Sequence, residues 1–183
     1  MTHDITAGCT TYVVVSGVHI ARKAEIKERL SAVFESPQPA DVHNPFMLHS
    51  LIVHETFLDA KSVITPLRYQ LYDQLDRVDV YAAKSPQERG KSELEDLTIQ
   101  LHVVSQELDS LTASADMTSM IVRRLSNAHE RYQGSIADPL LKNGIVKTTD
   151  ALRYLLESVE SQKRWLASYK ARKDIAMTLV SPK

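Results

Sequence analysis

The sequence predicts a mainly α fold: a long antiparallel helical hairpin, coiled-coil-like, packed with shorter helices and one N-terminal β element. The first observation behind this is the run Leu94, Leu97, Leu101, Val104, Leu108, Leu111, Ala115, Thr118, Val122 and Leu125, whose alternating steps of three and four mark a helical seam. The second is a similar run after a turn-rich gap: Leu152, Leu155, Val159, Gln162, Leu166, Tyr169, Lys173, Ala176 and Val180. The third is composition: 43% hydrophobic and 25% charged residues with only five glycines in 183 favour regular, helix-rich structure over loops or disorder.

That length suits one domain, residues 1–183, able to bury a core without disulfides. Within it, residues 10–42 should hold a strand and a short helix. The stretch TTYVVVSGVHI (10–20) is β-branched and broken by Gly17, which predicts one strand or a tight hairpin. Arg22 to Phe34 then places Ile26, Leu30, Val33 and Phe34 on one helical face, and Pro37 and Pro39 stop it. A helical region over 44–84 opens at Asn44-Pro45, a capping residue followed by a proline suited to the first turn. Pro66 interrupts its repeat, so a break is expected near 59–66. Ser85-Pro86-Gln87-Glu88 reads as a capping box that starts the first hairpin helix, 86–133, with Gly90 able to delay it. Pro139 and Gly144 mark the reversal, and the returning helix should occupy 145–180. Its seam grows wetter at Gln162 and Lys173. Forty helical residues span roughly 60 Å, so the pair should project as a stalk unless it bends near 115–120.

Twenty-two basic against 23 acidic residues give a net charge of −1, which provides no global field for nucleic acid or anionic lipid. The single cysteine, Cys9, excludes an internal disulfide and a Cys-based zinc cage. With no basic leader before Tyr12–Val15, and no apolar run near 18 residues, a cytoplasmic chain without a membrane-spanning helix is expected.

The strings EDLTIQLHVVSQELDSLTASADM (95–117), RRLSNAHERY (123–132) and DALRYLLESVESQKRWLASYKARKDIAMTLV (150–180) resemble the segment that precedes the membrane in fungal CorA-like cation transporters. HNPFMLHSLIVHETFLD (43–59) resembles that family's upstream helical region, so the likeness covers roughly residues 43–180. In the family the last helix continues into two transmembrane segments joined by a loop with a Gly-Met-Asn motif, and this sequence has neither. The resemblance therefore implies fold, oligomerisation and divalent-cation sensing, not ion conduction.

Three-residue spacing lets Asp73, Asp76 and Asp79 drift round one helical face, where they could share Mg²⁺ or Ca²⁺; a solvated acidic face is the commoner outcome of that pattern. The resemblance extends the interest to Glu107, Asp109 and Asp116. His49 and His54, with His43 and Glu55 nearby, form the densest histidine group, but a spacing of five turns the two rings about 140° apart, which does not suit zinc. Lys163, Arg164, Lys170, Arg172 and Lys173 surround Trp165 and Tyr169, a basic and aromatic mixture fit for an acidic partner or lipid headgroups. Glu157, Glu160 and Asp174 among them favour an ordinary solvated face, with Trp165 packed beside Leu166.

No G-x-S-x-G, Rossmann or P-loop pattern occurs, so no catalytic or nucleotide-binding motif is present. The expected function is a non-catalytic CorA-like cytosolic-domain protein. It would need no cofactor, with Mg²⁺ the natural cation if one is sensed, and would act as a homo-oligomer or with a helical protein partner. The interaction seam would comprise Leu94, Leu97, Leu101, Val104, Leu108, Leu111, Val122, Leu125, Leu152, Leu155, Val159 and Leu166. Two alternatives stand beside it. One is a repurposed helical protein that binds a small molecule or serves a biosynthetic pathway through His49, His54, His102 or the acidic cluster. The other is the cytosolic fragment of a full-length transporter.

Overall fold

The computed structural model describes residues 2–4, 9–11, 20–35, 44–135 and 142–180. These residues are mostly helical: α1 spans Ile20–Phe34, α2 Met47–Ala83, α3 Lys91–Gly134 and α4 Lys142–Val180. Two three-residue strands, β1 (Thr2–Asp4) and β2 (Cys9–Thr11), pair antiparallel with Thr2 opposite Thr11. The N-terminal β element expected over 10–20 finds no support beyond Thr10 and Thr11, and residues 12–19 lie outside the described residues. Among the described residues, no helix is long and apolar enough to cross a membrane.

Local chemistry explains the helix boundaries. The Asn44 side-chain oxygen accepts the Phe46 amide at 2.9 Å and its carbonyl accepts the Met47 amide at 3.1 Å, the cap that opens α2. The expected break near Pro66 is not there: α2 runs through it without interruption. Pro66 lies on the exposed side of the helix, so its ring projects away from the core while the repeat on the opposite side keeps packing. One half of the capping box at Ser85 forms, the Ser85 amide donating to Glu88 Oε2 at 3.1 Å; the Ser85 hydroxyl donates to the same oxygen at 2.7 Å, and the Glu88 amide donates to the Ser85 carbonyl at 3.0 Å. This group closes a single turn and not the helix itself; α3 starts at Lys91, five residues past the expected 86. The Ser85 hydroxyl, then its amide, holds the Glu88 carboxyl below the ordinary carboxylate range. In the same turn the Arg89 guanidinium donates to the Ala82 and Lys84 carbonyls at 2.7 and 3.1 Å, satisfying groups that the end of α2 leaves open. Lys84 Nζ donates to both Glu93 oxygens at 2.7 Å.

The chain divides into two compact units. In the unit formed by 56–122 and 155–183, α2, α3 and α4 each contribute to the core. One cluster joins Ile64, Leu67 and Leu71 to Val104, Leu108 and Ala115 and to Leu166 and Tyr169. Another joins Val78 and Tyr81 to Leu97 and Leu101 and to Ala176 and Val180. Ser119, Asp116, Asp109 and Ser105 of α3 bond Glu160, Lys163, Lys170 and Lys173 of α4 at 2.7, 2.9, 2.8 and 3.1 Å, and positions descending on one helix ascend on the other. The expected antiparallel hairpin is therefore present, but in this unit α2 lies along it as a third helix, so no bare two-helix stalk forms. Arg77 of α2 pairs with Asp96 of α3, and Tyr72 of α2 meets Tyr169 of α4 edge to face. α2 thus runs antiparallel to α3 and parallel to α4.

The other unit, 1–55 with 123–154, is organised by a buried polar group. Asn44 Nδ2 donates to Thr148 Oγ1 at 2.8 Å and to the Gly144 carbonyl at 3.3 Å, and lies 3.3 Å from His129 Nε2. Thr149 Oγ1 is 3.4 Å from His129 Nδ1, and Phe46 meets the imidazole edge to face. α1 is tied to α2 where Arg29 reaches the buried Glu55 at 2.9 Å and His54 Nδ1 at 3.3 Å.

Candidate functional site

The residues expected to form an interaction seam are spent inside the chain. Leu97, Leu101, Val104, Leu108, Val122, Leu152, Leu155, Val159 and Leu166 are all at most 1% exposed, while Leu94, Leu111 and Leu125 are half-buried. The cause is the third helix: in the 56–122/155–183 unit, the apolar edge that two helices alone would leave open is covered by α2.

The other sequence candidates separate in the same way. Asp73, Asp76 and Asp79 are exposed and fan across about 120° of α2. Among the described residues, no group of three histidine, cysteine or acidic side chains converges to hold a metal. Asp109 and Asp116 pair with Lys170 and Lys163, and Glu107 is exposed. The hydrogen bond and charge of Lys170 push the Asp109 carboxyl down, and Asp109 reciprocally raises the Lys170 ammonium. His49 and His54 take different partners, the Pro45 carbonyl at 3.1 Å and Arg29; His102 is exposed, and His43 lies outside the described residues. The side chain of Cys9 does too.

The basic and aromatic cluster of α4 is where the geometry becomes informative, because the helix sorts it by side-chain type. All three lysines turn toward neutralising partners: Lys163 to Asp116 and Glu160, Lys170 to Asp109, Lys173 to Asp174 and the Ser105 hydroxyl. Lys173, at 8% exposure, keeps its stem in the core and its ammonium at the edge. The two arginines turn the other way. Arg164 and Arg172 line an open cleft of about 400 Å³ with Trp165, Ser168 and Tyr169 of α4 and Arg68 and Tyr72 of α2.

Among the described residues none of these three arginines meets a carboxylate. Phenols hold two of them, Arg172 and Arg68, instead. Arg172 donates to the Tyr72 hydroxyl at 3.1 Å and lies 5.5 Å above that ring. Arg68 sits 4.9 Å over Tyr69. The hydrogen bond with Tyr69, with a smaller share from Tyr169, raises the Arg68 guanidinium further above its already high value. Its Nε is shielded from solvent and has no hydrogen-bond partner among the described residues. A neutral phenol orients a guanidinium without cancelling its charge, so the cleft keeps three cations beside flat rings, two of them directed by tyrosines. Trp165 does not pack away beside Leu166 as expected; it is 53% exposed at the cleft wall.

The sequence reading found the α4 half of this cleft and missed Arg68 and Tyr72. Their signal was an Arg and a Tyr four apart on the edge of α2, a pattern that acquires meaning only once α2 is known to lie parallel to α4. Arg164 and Arg172 are eight residues apart, about 12 Å along the axis, wider than one carboxylate or phosphate. Arg, Tyr and Trp together, open to solvent, are the side chains most enriched where proteins bind proteins. No protein-family model, curated protein or solved structure matches this chain.

Proposed function

We propose that this chain is a non-catalytic helical docking protein, which binds an acidic amphipathic helix of a protein partner in the cleft between α2 and α4. The observation that carries this is the row of three guanidiniums, two of them oriented by tyrosines and all three left without carboxylate partners among the described residues. An incoming helix with carboxylates about two turns apart would supply the missing counter-charges, and an apolar side chain between them would cover Trp165 and Tyr72. The CorA-like resemblance of residues 43–180 is consistent with a role through helix-mediated association, with the arginine cleft and not the leucine seam as the contact. Partner recognition replaces cation sensing as the favoured activity.

Trp165 is the sole tryptophan and stands in the cleft, so its emission reports occupancy. Titration with an acidic amphipathic peptide should shift Trp165 emission to the blue and saturate. Rising salt should weaken the effect, and Arg164→Glu with Arg172→Glu should abolish it. Unchanged emission at saturating peptide would overturn the reading.

A further inference from the structure

Along α2, Arg68, Tyr72, Asp76 and Asp79 follow one another at steps of four, four and three, so they form one stripe on the helix. Its first half lines the cleft. Its second half is acidic and exposed, and neither Asp76 nor Asp79 enters an ion pair among the described residues. Tyr69, at 63% exposure, and Val80, at 61%, flank the two ends with bare apolar surface.

The stripe is complementary to its own reverse. A two-fold axis passing between Tyr72 and Asp76, perpendicular to α2, sets Asp76 of a second copy level with Tyr72, the residue that holds Arg172. The same axis brings Asp79 level with Tyr69, beside the Arg68 guanidinium stacked on that ring, and Val80 level with Arg68, next to Tyr69. One two-fold axis across the helix therefore satisfies both the charges and the exposed apolar residues. An isologous pairing uses each match twice.

We propose that the acidic helix this cleft accepts is the α2 of a second copy of the same chain, with Asp76 and Asp79 of each protomer entering the arginine cleft of the other. The inference rests on the docking reading above and names its partner. Exposed ion pairs are individually weak, and the stripe from Arg68 to Val80 is only about 18 Å long. The product is a reversible, salt-sensitive dimer.

Sedimentation velocity across a concentration series tests it. The parent chain should pass from monomer to dimer as concentration rises and return toward monomer in high salt. Asp76→Arg with Asp79→Arg should cut self-association about tenfold or more by setting like charges face to face, and Arg68→Glu with Arg172→Glu should do the same. Mixed in equal amounts, the two double variants should restore a dimer containing one of each. Circular dichroism of each variant checks that helicity is retained, and Trp165 emission with the acidic peptide separates the two claims. The Asp76→Arg, Asp79→Arg variant keeps its cleft, so it should bind peptide at least as tightly as the parent. A parent chain that is monomeric at every concentration yet binds peptide overturns the dimer and leaves the docking reading standing. A chain that neither self-associates nor binds peptide overturns both, and a dimer indifferent to all four substitutions overturns this interface.

Discussion

The polar cluster around His129 and the arginine cleft beside Trp165 use similar groups to opposite ends. Around His129, Asn44 spends its side chain on Thr148, Gly144, the imidazole and the Phe46 amide. Asn44 and His129 are 4% and 1% exposed. Each polar group there answers another group of the same chain, which is what makes a buried network stabilising. In the cleft, guanidiniums are oriented by neutral rings and face solvent, so their strongest electrostatic interaction remains available to something else. Polarity that is internally answered holds a fold together; polarity that is aimed but unanswered marks a surface for recognition.

Several substitutions would break or sharpen this contrast. The largest effect should come from the two core clusters of the 56–122/155–183 unit: Leu101→Asp or Leu108→Asp forces a carboxylate into a site at most 1% exposed. Each should cost about 4–5 kcal/mol or more, read as loss of the cooperative helical transition in denaturant. Gln100→Asp and Gln106→Asp, one half-buried and one exposed, should be mild in the same assay. Next in size is Asn44→Ala, which strips a cap and leaves Thr148 and His129 short of a partner. A loss of about 2–4 kcal/mol is expected by urea unfolding.

A smaller effect should appear with pH. Burial pushes the His129 imidazole below its ordinary 6.5, against a weaker opposing pull from Glu130. The unfolded chain then takes up the proton first as pH falls, so the contribution is complete above pH 6.5 and is lost progressively below it, down through the depressed folded value. Urea midpoints should fall between about pH 7 and about pH 5, and His129→Gln should flatten that slope. Least of all should stability respond in the cleft. Arg164→Ala with Arg172→Ala should leave the urea midpoint nearly unchanged while removing peptide-induced changes in Trp165 emission. A large stability loss there would place the arginines with the His129 cluster as structural residues and erase the distinction.

Much of the scaffold was legible because helical periodicity is local. The 94–125 and 152–180 repeats needed nothing beyond their own order, and the Asn44 cap and Ser85 turn announced themselves by residue type. The break expected at Pro66 failed because a proline on the exposed side of a helix leaves the packed stripe of Ile64, Leu67 and Leu71 intact. The seam of α3 and α4 was correctly recognised as apolar, but its availability depended on where α2 went, and that is a tertiary question. The cleft divides along the same line. Its α4 residues stood together in the sequence as a basic and aromatic mixture, yet only distances to Asp109, Asp116 and Asp174 separate the committed lysines from the uncommitted arginines. Tyr72 and Arg172 are a hundred positions apart and had no shared signal.

The short turn between α2 and α3 carries one more implication. Only residues 84–90 separate the two helices, and Lys84 and Arg89 brace that link through Glu93, Ala82 and Lys84 itself. Closing so small a loop sacrifices little chain entropy, and contacts between near neighbours in sequence form quickly. Assembly of the 56–122/155–183 unit should therefore begin at this corner, with the antiparallel pair zipping away from it and the returning segment condensing onto a template already in place.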